Sequence, residues 1–283
     1  MELWFTENHT KDVRFSIKVK EHLYHQKSPF QDIDLFNSYE FGVFLDLDGL
    51  MMVCEKDEYI YHDMIVHVPM AVNPGIRKVL VIGGGDGGTV RELTRYPGIE
   101  TIDLVEIDEL VVKACREHLP LTAGKLDDPR VNIFYEDGVA FIERQSGAYD
   151  LVIIDSTDPF GPGEGLFTRN FYDNCNKALN DRGILVNQHE SPYYEKDRKA
   201  MTRAHKNLEK CFPIAEVYQF HMPSYPSGHW LFGFASKKLH PVKDLDEAGW
   251  KAVGLDTRYY NTELHKGAFA LPNYVRKALD EDL

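Results

Sequence analysis

The stretch VLVIGGGDGGTVREL, residues 79–93, runs an apolar strand into five glycines and then into a helix. Bare backbone N–H groups in such a loop favour an anion. Asp86, among those glycines, brings a negative charge to the same spot. Gly83-x-Gly85-x-x-Gly88 satisfies the dinucleotide fingerprint, and Glu106 in LVEID follows 18 residues after Gly88. An acid there accepts both hydroxyls of an adenosine ribose. Together they predict an adenosine-containing ligand, and Asp86 narrows which one. A pyrophosphate would meet a carboxylate, and two like charges 4 Å apart repel by about 4 kcal/mol at a dielectric of about 20. That disfavours NAD. S-adenosylmethionine fits awkwardly, because its amino-acid end carries a carboxylate beside the amine. Its decarboxylated form ends in an amine alone and fits better.

Further chemistry sits at later strand ends. Asp137 and Gly138 in YEDG can accept the amino group of an adenine ring, and Asp137 can equally cap a helix. Asp155 and Asp158 in VIIDSTDPFGPGEGLF lie three apart where a buried strand opens. Two acids in a cleft raise each other's pKa and can host a base or a dication; the bland alternative is a pair of capping acids. The proline- and glycine-rich loop over 158–168 is placed to act as a lid. Gln188, His189 and Glu190 follow the next strand, and Tyr225 lies between prolines as a wall for an aliphatic chain. Tyr61 and His62 lie before the sheet, and Gln31 earlier still. Spacing alone makes these last residues structural rather than functional.

The elements that must carry these residues form two groups. Residues 13–19, 30–36, 41–49 and 50–56 read as strands, with Asp48-Gly49 as a hairpin turn, so residues 1–56 form a small antiparallel β domain. Residues 57–72 read as a connecting helix with one apolar face (Ile60, Tyr61, Met64, Ile65, Val68), capped by Asp57 and stopped by NPG at 73–75. From 76, near-continuous apolar strands alternate with amphipathic helices. One of these helices, from RNFYD, is read as far as Gly183. The strands AEVYQFHM and HWLFGFAS follow as an antiparallel pair, then a partly helical tail. This predicts an α/β, Rossmann-like, mostly parallel doubly wound sheet over 57–283, with 57–75 as its connecting helix.

The 283 residues carry 32 Lys and Arg against 45 Asp and Glu, a formal net charge of −13. That excess argues against nucleic acid and suits a cationic partner. There is no apolar run long enough to span a bilayer, and the charged start MELWFTENHTKDVRF lacks the pattern of a signal peptide, so a cytoplasmic protein without a membrane partner is expected. Cys54, Cys115, Cys175 and Cys211 form no CxxC, and the 12 histidines include no HExxH. Packed thiols and no metal site are expected.

With these residues in view, the chain resembles the polyamine aminopropyltransferases, the spermidine synthases above all. The matching stretches include SPFQDI (28–33), DEYIYHDM (57–64), KVLVIGGGDGGTVRE (78–92), DSTDPFGPGEGLF (155–167), YPSG (225–228) and RYYNTELHKGAFALP (258–272). The resemblance implies a methyltransferase-type Rossmann domain behind the β domain, working as a homodimer or homotetramer. It implies transfer of an aminopropyl group from decarboxylated S-adenosylmethionine, a co-substrate, to putrescine, with no further cofactor. Spermidine and 5'-methylthioadenosine would be the products. Carried over by position, Gln31, Gly83, Gly85, Glu106, Asp137, Gly138 and Pro162 contact the donor. Asp86 holds its amine. Tyr61, His62, Asp158, Gln188 and Tyr225 line the polyamine, and Asp155 is the general base. The NQHESPYY segment after the fifth strand leaves agmatine, cadaverine and spermidine open as acceptors. An amine N-methyltransferase using intact S-adenosylmethionine is the nearest chemical rival.

Overall fold

The computed structural model describes residues 2–156 and 161–281. Its first unit is a five-stranded antiparallel meander of β1 (Leu3–Glu7), β2 (Phe15–Lys27), β3 (Asp32–Ser38), β4 (Val43–Leu47) and β5 (Leu50–Cys54). Asp48 and Gly49 both have positive φ, 54° and 85°, the backbone that a two-residue hairpin requires. The sequence reading missed β1, whose five residues pair with residues 15–19 of β2. It also stopped β2 short of its last eight residues, Lys20–Lys27. That half is more polar and mostly exposed, so no alternation announces it.

Helix α1 (Glu58–Val72) follows. Its expected single apolar face is corrected: every residue but Tyr59 is buried, because α1 is wedged among elements on several sides. The expected cap is also corrected. Asp57 makes no side-chain bond to α1. Its carboxylate instead accepts from the Ser224 N–H (2.9 Å), the Ser224 hydroxyl (3.0 Å) and the Cys54 thiol (2.8 Å).

The chain then alternates through β6 (Lys78–Gly83), α2 (Gly88–Thr94), β7 (Thr101–Val105), α3 (Glu109–His118), α4 (Pro120–Ala123), β8 (Val131–Phe134), α5 (Gly138–Glu143) and β9 (Tyr149–Asp155). After a 3-10 turn (Gly161–Phe167) come α6 (Arg169–Ala178), β10 (Leu179–Gln188), α7 (Glu195–Cys211), β11 (Ile214–His221), β12 (His229–Ser236), α8 (Glu247–Val253), α9 (Thr262–Ala268) and α10 (Asn273–Asp280). Helix α6 therefore ends at Ala178 rather than near Gly183. Leu179 already pairs with Tyr149, and the register then slips before Ile184.

The seven strands are ordered β11-β12-β10-β9-β6-β7-β8. Strands β6 to β10 run parallel, and β12 lies antiparallel to both β10 and β11. This is the expected methyltransferase-like α/β architecture. The chain winds outward from β6 through β7 to β8, then returns to β9 on the other side of β6. The switch point thus lies between β6 and β9, where such sheets hold ligands. Among the described residues no helix is long and apolar enough to cross a membrane.

Candidate active site

At the switch point Gly83 pairs with Asp155 across β6 and β9. Gly83 has φ of +81°, and a Cβ there would run into the Asp155 carbonyl, so glycine alone lets the loop turn this close. Gly88 opens α2 without a side chain because the His62 imidazole fills that space. The glycine loop therefore admits a protein side chain as well as a ligand.

The Asp155 carboxylate is gripped from two sides. The Tyr61 hydroxyl donates to Oδ1 at 2.7 Å and the Thr89 hydroxyl to Oδ2 at 2.7 Å. Burial pushes the Asp155 pKa up and the Asp86 charge adds to it, against His62, Thr89 and Tyr61. The net rise is the direction a general base for an amine needs. The expected companion Asp158 lies outside the described residues; among those described, Asp86 is the acid that raises Asp155.

Asp86 accepts from the Gly88 N–H at 2.9 Å and stands 3.4 Å from His62 Nε2. His62 Nδ1 meets Glu58 at 2.6 Å, and Arg91 donates to both Glu58 oxygens at 3.0 and 2.8 Å. Burial opposes charge on His62, but Asp86 and then Glu58 outweigh it and push the imidazole up to about 10. Burial likewise works against ionised Asp86, and His62 overcomes it, holding the carboxyl below its ordinary range. Asp86 is thus an ionised acid with a cation behind it, not the bare charge that the loop sequence suggests.

Of the remaining expected residues, Gln31, Glu106, Asp137, Gly138, Gln188 and Tyr225 line the same cavity. Glu106, at the end of β7, is 8% exposed, accepts from the Asp108 N–H at 2.9 Å and is pushed by burial up to about 7. Gly85 brings backbone against it; a Cβ at Gly85 would stand 2.9 Å from Glu106 Oε2. The Gln31 amide donates to Asp108 at 3.0 Å, tying the start of β3 to the end of β7. Asp137 caps α5 by accepting from the Val139 N–H at 2.8 Å, and Gly138 is the first residue of that helix. The Gln188 amide donates to Glu190 at 3.1 Å, while its buried Oε1 has no hydrogen-bond partner among the described residues. The Tyr225 hydroxyl donates to the Met52 carbonyl, and its ring meets Trp230 edge-on at 5.0 Å. Pro162 falls in the 3-10 turn Gly161–Phe167. His189 does not line the cavity: it is fully buried behind it, 5.7 Å from the His205 ring, and burial holds its pKa well below the ordinary imidazole value.

Three ionisable residues lining the cavity escaped the sequence reading: Glu7, His9 and Glu58. Glu7 accepts from the Met51 N–H at 3.2 Å. His9 sits 3.3 Å from Glu7 and 3.0 Å from Asp197. Burial opposes its charge, but Asp197 and Glu7 push it up to about 9. Glu7 belongs to the missed β1 and His9 follows it, so their concealment has one cause. Glu58 was legible as the i−4 neighbour of His62 on a helix.

His62, Asp86 and Asp155 have ligand atoms within 4.8 Å of one another, as do Asp63, His67 and Glu92. In the first group both imidazole nitrogens face carboxylates. A protonated ring there pairs the acids directly and leaves no neutral nitrogen for a metal. What the cavity offers is several acids at its centre with a hydroxyl on each oxygen of Asp155, an arrangement suited to a cationic ligand.

Residues 58–246 match the family model of the spermine/spermidine synthase domain, and residues 3–55 match that of the spermidine synthase tetramerisation domain. A polyamine aminopropyltransferase of Clostridium perfringens is 69% identical over 280 residues, covering 99% of both chains. One from Alkaliphilus oremlandii is 66% identical over 282 residues, covering 100% of this chain and 99% of its own. A spermidine synthase crystallised in complex with the transition-state analogue AdoDATO superposes with a TM-score of 0.95 at 41% identity, covering 98% of this chain and 94% of that one.

Proposed function

The chain belongs to the polyamine aminopropyltransferase family, and from that premise we propose that it transfers the aminopropyl group of decarboxylated S-adenosylmethionine to putrescine, giving spermidine and 5'-methylthioadenosine. The observation that carries this reading is the Asp86–Asp155 centre at the switch point, with Tyr61 and Thr89 bonded to Asp155 and the ribose-type acid Glu106 on the adjoining strand.

The donor is already activated: its leaving group is a neutral thioether. The carbon–sulfur bond breaks as a carbon–nitrogen bond forms in line with it. The acceptor is the difficulty, since an alkyl ammonium has a pKa near that of Lys, about 10.4, and only the free amine attacks. Asp155 accepts that proton, and its raised pKa improves it as a base. Asp86 pairs with the amine of the aminopropyl group. A carboxylate on intact S-adenosylmethionine would meet Asp86 there, and the repulsion selects the decarboxylated donor. Gln31, Glu106, Asp137, Gly138 and Pro162, with the Gly83–Gly85 backbone, hold the nucleoside. Tyr61, His62, Gln188 and Tyr225, with Asp158, hold the diamine. Holding amine, carbon and sulfur in line supplies much of the rate. Residues 1–56 act as a β domain completing the cavity of the 57–283 domain, in a homodimer or homotetramer. The reaction needs neither metal nor cofactor, so turnover is unchanged in EDTA.

The test is mass spectrometry of products from decarboxylated S-adenosylmethionine and an equimolar mix of putrescine, cadaverine, agmatine and spermidine. Spermidine with methylthioadenosine is the expected outcome. A dominant product of another mass would reassign the acceptor. A methylated amine from intact S-adenosylmethionine would replace the reading altogether.

A further inference from the structure

Away from the cavity, three side chains converge on the outer face of the N-terminal sheet. His22 Nε2 lies 2.6 Å from Asp34 Oδ1, and His25 Nδ1 lies 3.0 Å from the same oxygen. All three ligand atoms fall within 4.8 Å of one another. On a regular strand, residues three apart point to opposite faces. Strand β2 is not regular here. His22 faces Phe36 and Tyr24 faces Leu35, so the register slips by one residue at Leu23. Leu23 and Tyr24 both pack against the core. That bulge leaves His22 and His25 together on the outer face, the kind of re-aiming that bulges perform. Asp34 stands opposite His25, and Phe36, its neighbour on the same face, stacks on the His22 ring at 4.5 Å and 18°. One ligand ring is therefore held in plane before any ion arrives.

We propose that His22, His25 and Asp34 form a surface site for a divalent cation of the zinc class, bound through His22 Nε2, His25 Nδ1 and Asp34 Oδ1. Two imidazoles and one carboxylate suit zinc, cobalt and nickel; calcium and magnesium prefer all-oxygen sets. Bonds of about 2.0–2.2 Å in a tetrahedron put neighbouring ligand atoms about 3.4 Å apart, so the two imidazole nitrogens, at 2.6 and 3.0 Å from the shared oxygen, need to open by less than about 1 Å to admit an ion between them. In the single chain the side chains are 42%, 55% and 17% exposed, which leaves room for water to complete the coordination. Two rungs along the same strand pair, Lys27 is engaged by Asp32 at 3.3 Å. The net charge of −13 favours a cation's approach. Bound metal braces β2 against β3 across the bulge and takes no part in aminopropyl transfer.

The experiment is calorimetric titration of EDTA-stripped, dialysed full-length protein with zinc chloride, with magnesium chloride as control. Wild type takes up zinc at one equivalent per chain, and its Tm rises by about 3 °C or more at saturation. His25→Gln and Asp34→Asn each weaken zinc at least tenfold and lose the Tm rise, yet keep wild-type turnover in EDTA, which certifies their folding. Zinc bound equally well by both variants would overturn the site. So would the absence of any zinc uptake by wild type at roughly 1 mM, or equal uptake of magnesium.

Discussion

Helix α1 carries the same chemical device twice, five residues apart. Glu58 and His62 form one acid–imidazole pair at i, i+4, and Asp63 and His67 form the next. Each imidazole is sandwiched by a second acid from beyond the helix, Asp86 for His62 and Glu92 for His67. Both histidines are buried, at 2% and 0% exposure. Their surroundings differ. His62 and Asp86 open on the cavity, one residue from Tyr61 and its bond to Asp155. His67 is roofed by Tyr96, whose hydroxyl stands 2.6 Å from Nδ1, and by Trp250, which donates to that hydroxyl at 3.0 Å. Asp63 spends its other oxygen on the N–H groups of Tyr259 and Tyr260, 2.7 and 3.1 Å away. The inner pair fastens the C-terminal tail; the outer pair faces the cavity. An acid and a histidine at the same helical spacing become a sealed clamp or part of a cavity wall according to what lies across from them.

The contrast breaks most sharply at Asp155, which belongs to the open cluster alone. Asp155→Asn is expected to lower kcat a hundredfold or more, as loss of a general base does, with no loss of Tm. In wild type the acid limb of kcat should fall above the ordinary Asp value of about 3.9, because the rate declines as pH drops through a pKa that burial has raised. Near-normal turnover by the variant would remove Asp155 from the role.

His67→Ala tests the sealed cluster. It strands Asp63 and Glu92, the latter now held down to about 2 with His67 outweighing the cost of burial. Stability should drop by about 3 kcal/mol, while kcat measured below the new Tm stays within about twofold. A variant that melts normally would mean the acids find other partners.

Asp86→Asn should weaken the decarboxylated donor by about tenfold in kcat/KM and narrow the preference over intact S-adenosylmethionine, one charge-assisted contact being worth roughly 1.5 kcal/mol. Unchanged donor preference would sink the selection argument.

The gentlest probe is pH at Glu106. In the proposed role its ionised form binds sugar hydroxyls, and burial pushes its carboxyl up to about 7 in the empty site. Donor KM should therefore climb several-fold as pH falls from 8 to about 6. Glu106→Gln should remove that slope. It should also raise Tm at pH 8, because a carboxyl whose folded pKa is raised stabilises the fold only below that pKa.

Much of this was readable in advance where one physical cause dominated. GGGDGG, Glu106, Asp137 and Asp155 end parallel strands, and a doubly wound sheet must bring such ends together. Partners from outside that rule were hidden. Glu7 and His9 come with β1, a five-residue edge strand whose first two residues are exposed. His22 and His25 share a face only through a bulge that alternation does not reveal. The row from Asp86 through His62 and Glu58 to Arg91 joins α1 to α2, a packing that no local pattern announces. Asp57 looked like a cap because acids precede helices, yet tertiary donors claimed it.

That last residue has a mechanical consequence. The Asp57 carboxylate holds the end of β5 through Cys54 and the 222–228 loop through Ser224, while Tyr225 in that loop reaches back to Met52. The two sheets thus share a latch at the cavity wall. Peeling away the N-terminal meander would drag Tyr225 with it, so the two units should melt as one cooperative body, and a ligand that fills the cavity should protect both from proteolysis alike.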